Sequence, residues 1–580
     1  MASSDDDEEI KRAIAMSLAD AASNDAVVDL TSDDEVDEDM RRALALSLGE
    51  PQGKTTHGAS AQTQSGSSSS TETSKPSGIL GLDRKAMEQE RLERLGKRKR
   101  SVSPERPSKQ VVQSDPKHES KKHMSTYHRI ASASTGLEYP NGVVKRTWAN
   151  KHPRSNDITI DEVLQASSLN IAILSAFQWD NPWLMGDHLD PYTVKQIWIM
   201  CGKSRGEDVR DKLRQEAKDA NIPNFKMHFP PLPGQTQNMH GKLMLLFHKE
   251  GHLRVVVSTA NMIKFDWGET NKDADGSSLQ PGVMENTVFL IDLPRRPKGP
   301  AAELETEFGK SLVQYLKAQD VPSNVVEGVL KFDFSETKNI GFVHSIAGVK
   351  SGPERTRTGL PCLAKTIRNL KLDQIDKLEI DYVTSSLGAL KVPLLEQIYQ
   401  AARGLTPLTQ PQTNVVDHFR IYFPTEETVV NSTGGPDCGG IITLNRGWYD
   451  APTFPRQCFR DYKSTRPGML SHNKLLFARG YKKDGTPVAW VYVGSANLSE
   501  AAWGVQKTLK SGKEAISLLR NWECGVVVPV PEEKLKAMPK SEVPPMSVFE
   551  GTVDVPFVYP GEKYGDREPW YYQRGEVSPT

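Results

Sequence analysis

One pattern occurs twice in this chain, and it restricts the fold more than any other feature. The first copy reads His240-Gly241-Lys242 and runs into the apolar stretch Leu243 to Phe247. It continues with Val255-Val256-Val257-Ser258-Thr259-Ala260-Asn261 and then Glu285-Asn286-Thr287-Val288-Phe289-Leu290. The second reads His472-Asn473-Lys474-Leu475-Leu476-Phe477, then Val491-Tyr492-Val493-Gly494-Ser495-Ala496-Asn497, then Glu523-Cys524-Gly525-Val526. Each copy has a His-x-Lys leading an apolar strand, a second strand ending in Ala-Asn, and a Glu before a third strand. A repeat on this scale predicts two similar α/β domains facing each other, over residues 140–345 and 346–580. Apolar runs of strand length at 169–174 and 195–200 alternate with a helix-like stretch at 208–220. Such alternation predicts mixed sheets between helices.

The repeated residues also predict chemistry. Side chains two apart on a strand share a face, so His240 projects with Lys242 and His472 with Lys474. Asn261 and Asn497 end neighbouring strands and reach the same place. A lone His-x-Lys is ordinarily a solvated strand end; two copies in register converge on one cleft suited to a phosphoryl group. Ammonium groups and amides hold its equatorial oxygens. One neutral imidazole attacks phosphorus to give a phosphohistidine, and the other donates a proton to the leaving oxygen and later activates water. Spacing does not say which histidine attacks. Glu285 and Glu523 are the carboxylates expected to orient the two rings.

These residues resemble the phospholipase D superfamily, in which an Asp follows the motif Lys by five residues. Here those positions hold Phe247 and Arg479. Loss of both aspartates with the asparagines kept is similar to the tyrosyl-DNA phosphodiesterase family of the 3′ type. So are Ser495-Ala496-Asn497-Leu498-Ser499-Glu500-Ala501-Ala502-Trp503-Gly504 and the aromatic segment Phe177-Gln178-Trp179-Asp180-Asn181-Pro182-Trp183-Leu184. The resemblance implies two phospholipase D-like domains related by a pseudo-twofold axis that passes through the active site. It implies hydrolysis of the 3′-phosphotyrosyl bond between DNA and a trapped topoisomerase I peptide, and exonuclease-like removal of other 3′ blocking groups. His240 matches the nucleophile and His472 the general acid and base; Lys242, Lys474, Asn261 and Asn497 match the phosphate-binding set. Glu523 matches a Glu that supports the second His, and Glu285 falls where the family often has Gln. Ser432-Thr433-Gly434-Gly435 and Ser499 resemble segments that touch DNA, single- or double-stranded. Neither a metal nor a cofactor is expected, because lysines supply the positive charge. The competing readings are another superfamily phosphodiesterase or nuclease, acting on lipid or unmodified nucleic acid, and an inactive ubiquitin-binding scaffold.

The totals add boundaries. Lys and Arg number 73 against 74 Asp and Glu, so the overall charge selects no partner. Five cysteines lie far apart with no CxxC pair, the pattern of a reduced compartment rather than of zinc or disulfides. The apolar runs are too short to cross a bilayer, so no membrane association is expected. Residues 51–130, rich in Ser, Thr, Gln, Gly, Lys and Pro, read as a disordered linker. Its cluster Lys97-Arg98-Lys99-Arg100 predicts nuclear import.

The acidic residues 1–50 carry a second repeat. Arg12-Ala13-Ile14-Ala15-Met16-Ser17-Leu18 returns as Arg42-Ala43-Leu44-Ala45-Leu46-Ser47-Leu48. On helices at about 5–20 and 35–50, one face would carry Ile10, Ala13, Ile14 and Ser17, and the other Met40, Ala43, Leu44 and Ser47. This resembles paired ubiquitin-interacting motifs, which would bind polyubiquitin by avidity. Residues 27–35, an apolar β-prone core followed by acids, resemble a SUMO-interacting motif. The expectation is a nuclear monomer.

Overall fold

The computed structural model describes residues 137–571, apart from 205, 233, 235, 271–281, 298–303, 412, 510–511 and 538–542. The ubiquitin- and SUMO-motif residues, the linker and its basic cluster lie outside the described residues.

Two large sheets form the body. The first is built from β1 (Val143–Thr147), β2 (Leu169–Ser175), β3 (Lys195–Ile199), β4 (Phe225–His228), β5 (Leu243–His248), β6 (His252–Ser258) and β7 (Thr287–Pro294). The second is built from β8 (Gly341–Ser345), β9 (Ile375–Val383), β10 (Phe419–Phe423), β11 (Phe459–Asp461), β12 (Leu475–Lys482), β13 (Pro487–Gly494) and β14 (Asn521–Pro529). The first has the order β1-β7-β6-β5-β2-β3-β4, with the two-residue strand Asp157–Ile158 added in parallel beyond β1, and the second β8-β14-β13-β12-β9-β10-β11, so each of the seven numbered strands has its counterpart seven places later. The pairing repeats too: β2-β3-β4 and β9-β10-β11 run parallel, and the other ladders named here are antiparallel. β8 pairs with β14 and so belongs to the second sheet.

Both faces of the central strands are apolar because both are covered. Leu243 and Leu245 of β5 share one core cluster with Leu475 and Phe477 of β12 and with Val491 and Val493 of β13. Phe308, Leu312 and Tyr315 of α2 (Glu307–Ala318) join this core between the sheets. The alternate residues Met244 and Leu246 face an outer cluster that includes Leu213 of α1 (Arg210–Asp219). On the second sheet Leu476 and Ala478 face the outer layer of α3 (Gly359–Asn369) and α4 (Val392–Ala402). Each fully buried aliphatic side chain contributes about 1.5–3 kcal/mol, so the shared core resists separation of the halves.

Two short parallel ladders tie the halves together at the site. Asn238–Met239 pairs with Asn521–Trp522, and Met284–Glu285 pairs with Leu470–Ser471. Each ladder leads directly into a histidine. The His240 N–H donates to the Trp522 carbonyl at 3.1 Å, and the His472 N–H to the Glu285 carbonyl at 2.9 Å.

Candidate active site

Each His-x-Lys sits in the extended break between a two-residue ladder and the long strand that follows it. His240, Lys242, His472 and Lys474 are all at least 95 % buried. Lys242 Nζ donates to the His240 carbonyl at 2.8 Å, and Lys474 Nζ to the His472 carbonyl at 2.5 Å. Gly241 separates the first pair because Tyr315 of α2 leaves no room: an added β-carbon would lie 2.3 Å from its hydroxyl.

The asparagines are fixed by the strand ends around them. Asn261 Oδ1 accepts from the Phe177 and Gln178 N–H groups, both at 3.3 Å, so the aromatic segment singled out in the sequence frames the site. Asn497 Oδ1 accepts from Thr384 Oγ1 at 3.2 Å and Ser385 Oγ at 3.3 Å.

The carboxylates differ from expectation, and the difference is one of register. His240 Nδ1 donates to Glu523 Oε2 at 2.8 Å, so Glu523 supports the first histidine, not the second. His472 Nδ1 instead donates to Asp266 Oδ2 at 3.0 Å. Asp266 was not singled out in the sequence; it lies in the turn after Asn261, between Phe265 and Trp267. Each histidine is thus held by an acid from the opposite half. Glu285 reaches the site only through its carbonyl. Its buried carboxylate binds Arg146, accepts from Ser464 Oγ at 2.6 Å and from Tyr462 Oη at 3.2 Å, and lies 3.8 Å from Arg466 Nε.

Strand pairing explains the error. Val257 pairs with Phe289, whereas its counterpart Val493 pairs with Val526. Counting back three residues on each places Asn286, not Glu285, in the position of Glu523. A shift of one residue moves a side chain to the other face. Asn286 fills that place without charge: its Oδ1 accepts from Thr259 Oγ1 at 2.7 Å, as Glu523 accepts from the equivalent Ser495. Its Nδ2 donates to the Asp266 carbonyl at 3.1 Å, so it steadies the loop that supplies the missing acid.

The expected DNA-contact residues fall on two different flanks. Ser499 lines a pocket beside Asn497 together with Thr236, Asn238 and Ser386, and its Oγ caps a short helix by accepting from the Ala502 N–H at 3.2 Å. Ser432 to Gly435 pack on the other flank. The Thr433 N–H donates to the Gly468 carbonyl at 2.9 Å, and Gly434 lies against Gly282 and Cys438. The structure does not bring the two groups together. Phe247 and Arg479, at the places of the absent aspartates, have structural partners: Phe247 meets Phe332 edge-on, and Arg479 donates to Asp381 at 2.8 Å. The five cysteines are free, and among the described residues no cluster of three His, Cys, Asp or Glu could hold a metal ion.

Burial sets the protonation of these side chains. It lowers His240 to about 4 and His472 to about 4, against the pull of Glu523 and Asp266 respectively. Lys242 is lowered to about 8 by burial, and Lys474 goes well below its usual value through burial and the neighbouring Lys242. Burial pushes Asp266 up, but His472, Lys474 and the Asn261 N–H outweigh it, so it remains a carboxylate. Both rings are therefore neutral near pH 7, with the proton assigned to Nδ1 by the acid that accepts it. An oxyanion entering the cleft favours the charged forms of these bases, so its binding takes up protons and tightens as pH falls. Sulfate, which does not titrate here, should bind more tightly at pH 7 than at pH 9. Calorimetry at pH 8 in buffers of different ionisation heat should show net uptake; proton release would contradict the assignment.

Two neutral imidazoles backed by acids, with two lysines and two amides beside them, are equipped for phosphoryl transfer, and the protein is a phosphodiesterase of the hydrolase class. Comparison with known proteins makes this specific. The tyrosyl-DNA phosphodiesterase family model matches residues 143–565, and the chain belongs to that family. Tyrosyl-DNA phosphodiesterase 1 of Arabidopsis thaliana is 25% identical over 480 residues, covering 74% of this chain and 72% of that protein. Tyrosyl-DNA phosphodiesterase 1 of Drosophila melanogaster is 25% identical over 392 residues, covering 65% of this chain and 63% of that one. The crystal structure of the yeast tyrosyl-DNA phosphodiesterase superposes with a TM-score of 0.52 at 18% identity, over 75% of this chain and 100% of that one, which supports the fold. Ubiquitin interaction motifs match residues 5–21 and 37–51.

Proposed function

We propose that this protein repairs DNA by hydrolysing the 3′-phosphotyrosyl bond that links a DNA end to a trapped topoisomerase peptide, through a phosphohistidine on His240. The observation that carries this reading is the pair of imidazoles, each pinned at Nδ1 by a carboxylate from the other half and so presenting Nε2 to the cleft. The lone pair of His240 Nε2 forms a bond to phosphorus while the P–O bond to tyrosine breaks. The tyrosyl oxygen takes a proton from His472 Nε2, acquired when the phosphate enters. His472 then removes a proton from water, whose oxygen attacks phosphorus and releases His240 and a 3′-phosphate end. Lys242, Lys474, Asn261 and Asn497 hold the equatorial oxygens throughout. Family membership, rather than the geometry, favours His240 as the nucleophile.

The direct test is an oligonucleotide bearing a 3′-phosphotyrosine, incubated with the protein in excess EDTA. Conversion to a 3′-phosphate end is expected. Absence of conversion by folded protein would remove this substrate and favour a lipid or unmodified nucleic-acid substrate. Other 3′ blocking groups, removed by an exonuclease-like action on single- or double-stranded ends, fit the same cleft chemistry.

The tail extends the proposal. Its two motifs would bring the enzyme as a nuclear monomer to ubiquitin-bearing adducts, with residues 27–35 as a SUMO contact and Lys97 to Arg100 as the import signal. Deleting residues 1–50 should leave oligonucleotide cleavage unchanged and abolish polyubiquitin pull-down; undiminished pull-down would refute the recruitment role.

A further inference from the structure

A second cavity lies away from the catalytic cleft. It measures about 220 Å³ and opens between α2 and α3 beside β8, which pairs with β14. Its apolar lining includes Phe308, Ile340 and Phe342, with the two phenyl rings edge to face at 5.5 Å. Also in the lining is His344, only 2 % exposed, with both ring nitrogens buried and without a hydrogen-bond partner. A buried imidazole without partners is costly, because its nitrogens have lost water and gained nothing in return. Burial and the nearby Lys365 lower His344 to about 3, so the ring is neutral. It therefore offers one donor and one acceptor. At the rim, Lys365 is already paired with Glu307 at 3.2 Å. Lys338 and Arg357, both exposed, have no acidic partner among the described residues.

We propose that this cavity binds a small phenolic acid: one aromatic ring whose hydroxyl meets His344 and whose carboxylate meets Lys338 and Arg357. A hydroxyl both donates and accepts, which matches what the neutral imidazole lacks. The carboxylate matches the two unpaired cations. Size selects a single ring. A cavity of roughly 150 Å³ holds benzene, so 220 Å³ leaves space for a ring with two small substituents but not for a nucleoside. Drug-sized ligands use about 300 Å³ or more. The site is separate from the chemistry, with Tyr315 between them: its ring lies 5.4 Å from that of His344, and its hydroxyl faces Gly241.

The test is a ligand-observed NMR titration of the full chain with 4-hydroxybenzoate and with benzoate. Saturable binding of one 4-hydroxybenzoate is expected, with benzoate weaker by about fivefold for the lost hydrogen bond. His344→Phe keeps the ring shape and removes both nitrogens; it should weaken binding about tenfold while leaving oligonucleotide cleavage intact. The exposed pair Lys338→Ala/Arg357→Ala should weaken it similarly and keeps the test decisive if His344→Phe does not fold. Absence of saturable binding, equal affinity for benzoate, or unchanged affinity in the variants would overturn the proposal. So would loss of binding in His472→Ala, which would place the ligand in the catalytic cleft instead.

Discussion

Replacing His240 by Ala should abolish cleavage of a 3′-phosphotyrosyl oligonucleotide, with a loss of at least about 10⁴-fold and no covalent protein–DNA species. Replacing His472 by Ala should behave differently. Tyrosine leaves as a phenolate whose conjugate acid has a pKa of about 10, so bond breaking proceeds without full proton donation. Release of the phosphohistidine needs a base to activate water, and that base is gone. The expected result is slow turnover, down by about 10²–10⁴-fold, with a protein–DNA adduct that survives denaturing electrophoresis and is labile to acid. An adduct in His240→Ala and none in His472→Ala would exchange the two roles.

The second prediction tests the crossed carboxylates. In Glu523→Gln the side-chain amide can donate to Nδ1 of His240, which moves that ring's proton to Nε2 and removes the attacking lone pair. This variant should lose activity by up to about 10⁴-fold, the scale seen when an orienting acid becomes an amide, and should form no adduct. Asp266→Asn alters His472 in the same way, so it should accumulate the adduct as His472→Ala does. Gel analysis of the two variants distinguishes the pairings. If Glu523→Gln accumulated the adduct, Glu523 would be serving His472, contrary to the 2.8 Å contact with His240.

Much of the fold and the centre of the site was legible because the duplication marks both. His240, Lys242 and Asn261 recur as His472, Lys474 and Asn497, and the same strand order surrounds each set. What the repeat concealed is where the two halves have diverged. Asp266 aligns with Ala502, so comparing the copies gives it no weight, although a lone acid between Phe265 and Trp267 is itself a sign of a buried carboxylate. Glu285 attracted attention because, like Glu523, it stands three residues before a Val that opens an apolar run. Strand pairing shifts that alignment by one residue and turns Glu285 toward Arg146. The partnership between His240 and Glu523 spans 283 positions, and pattern spacing within one half contains no information about it. Ser432 to Gly435 and Ser499 were grouped by resemblance, yet their loops border opposite ladders, a separation set by tertiary packing alone.

The exchange of acids across the interface makes the site a detector of its own assembly. Neither half supplies both members of a site imidazole–carboxylate pair: His240 without Glu523, or His472 without Asp266, is a ring free to turn and to change tautomer. Both contacts cross between the halves, so both rings depend on the same docking. The same arrangement binds the evolutionary fate of the copies together. A change at Glu523 or Asp266 acts on the histidine of the other half.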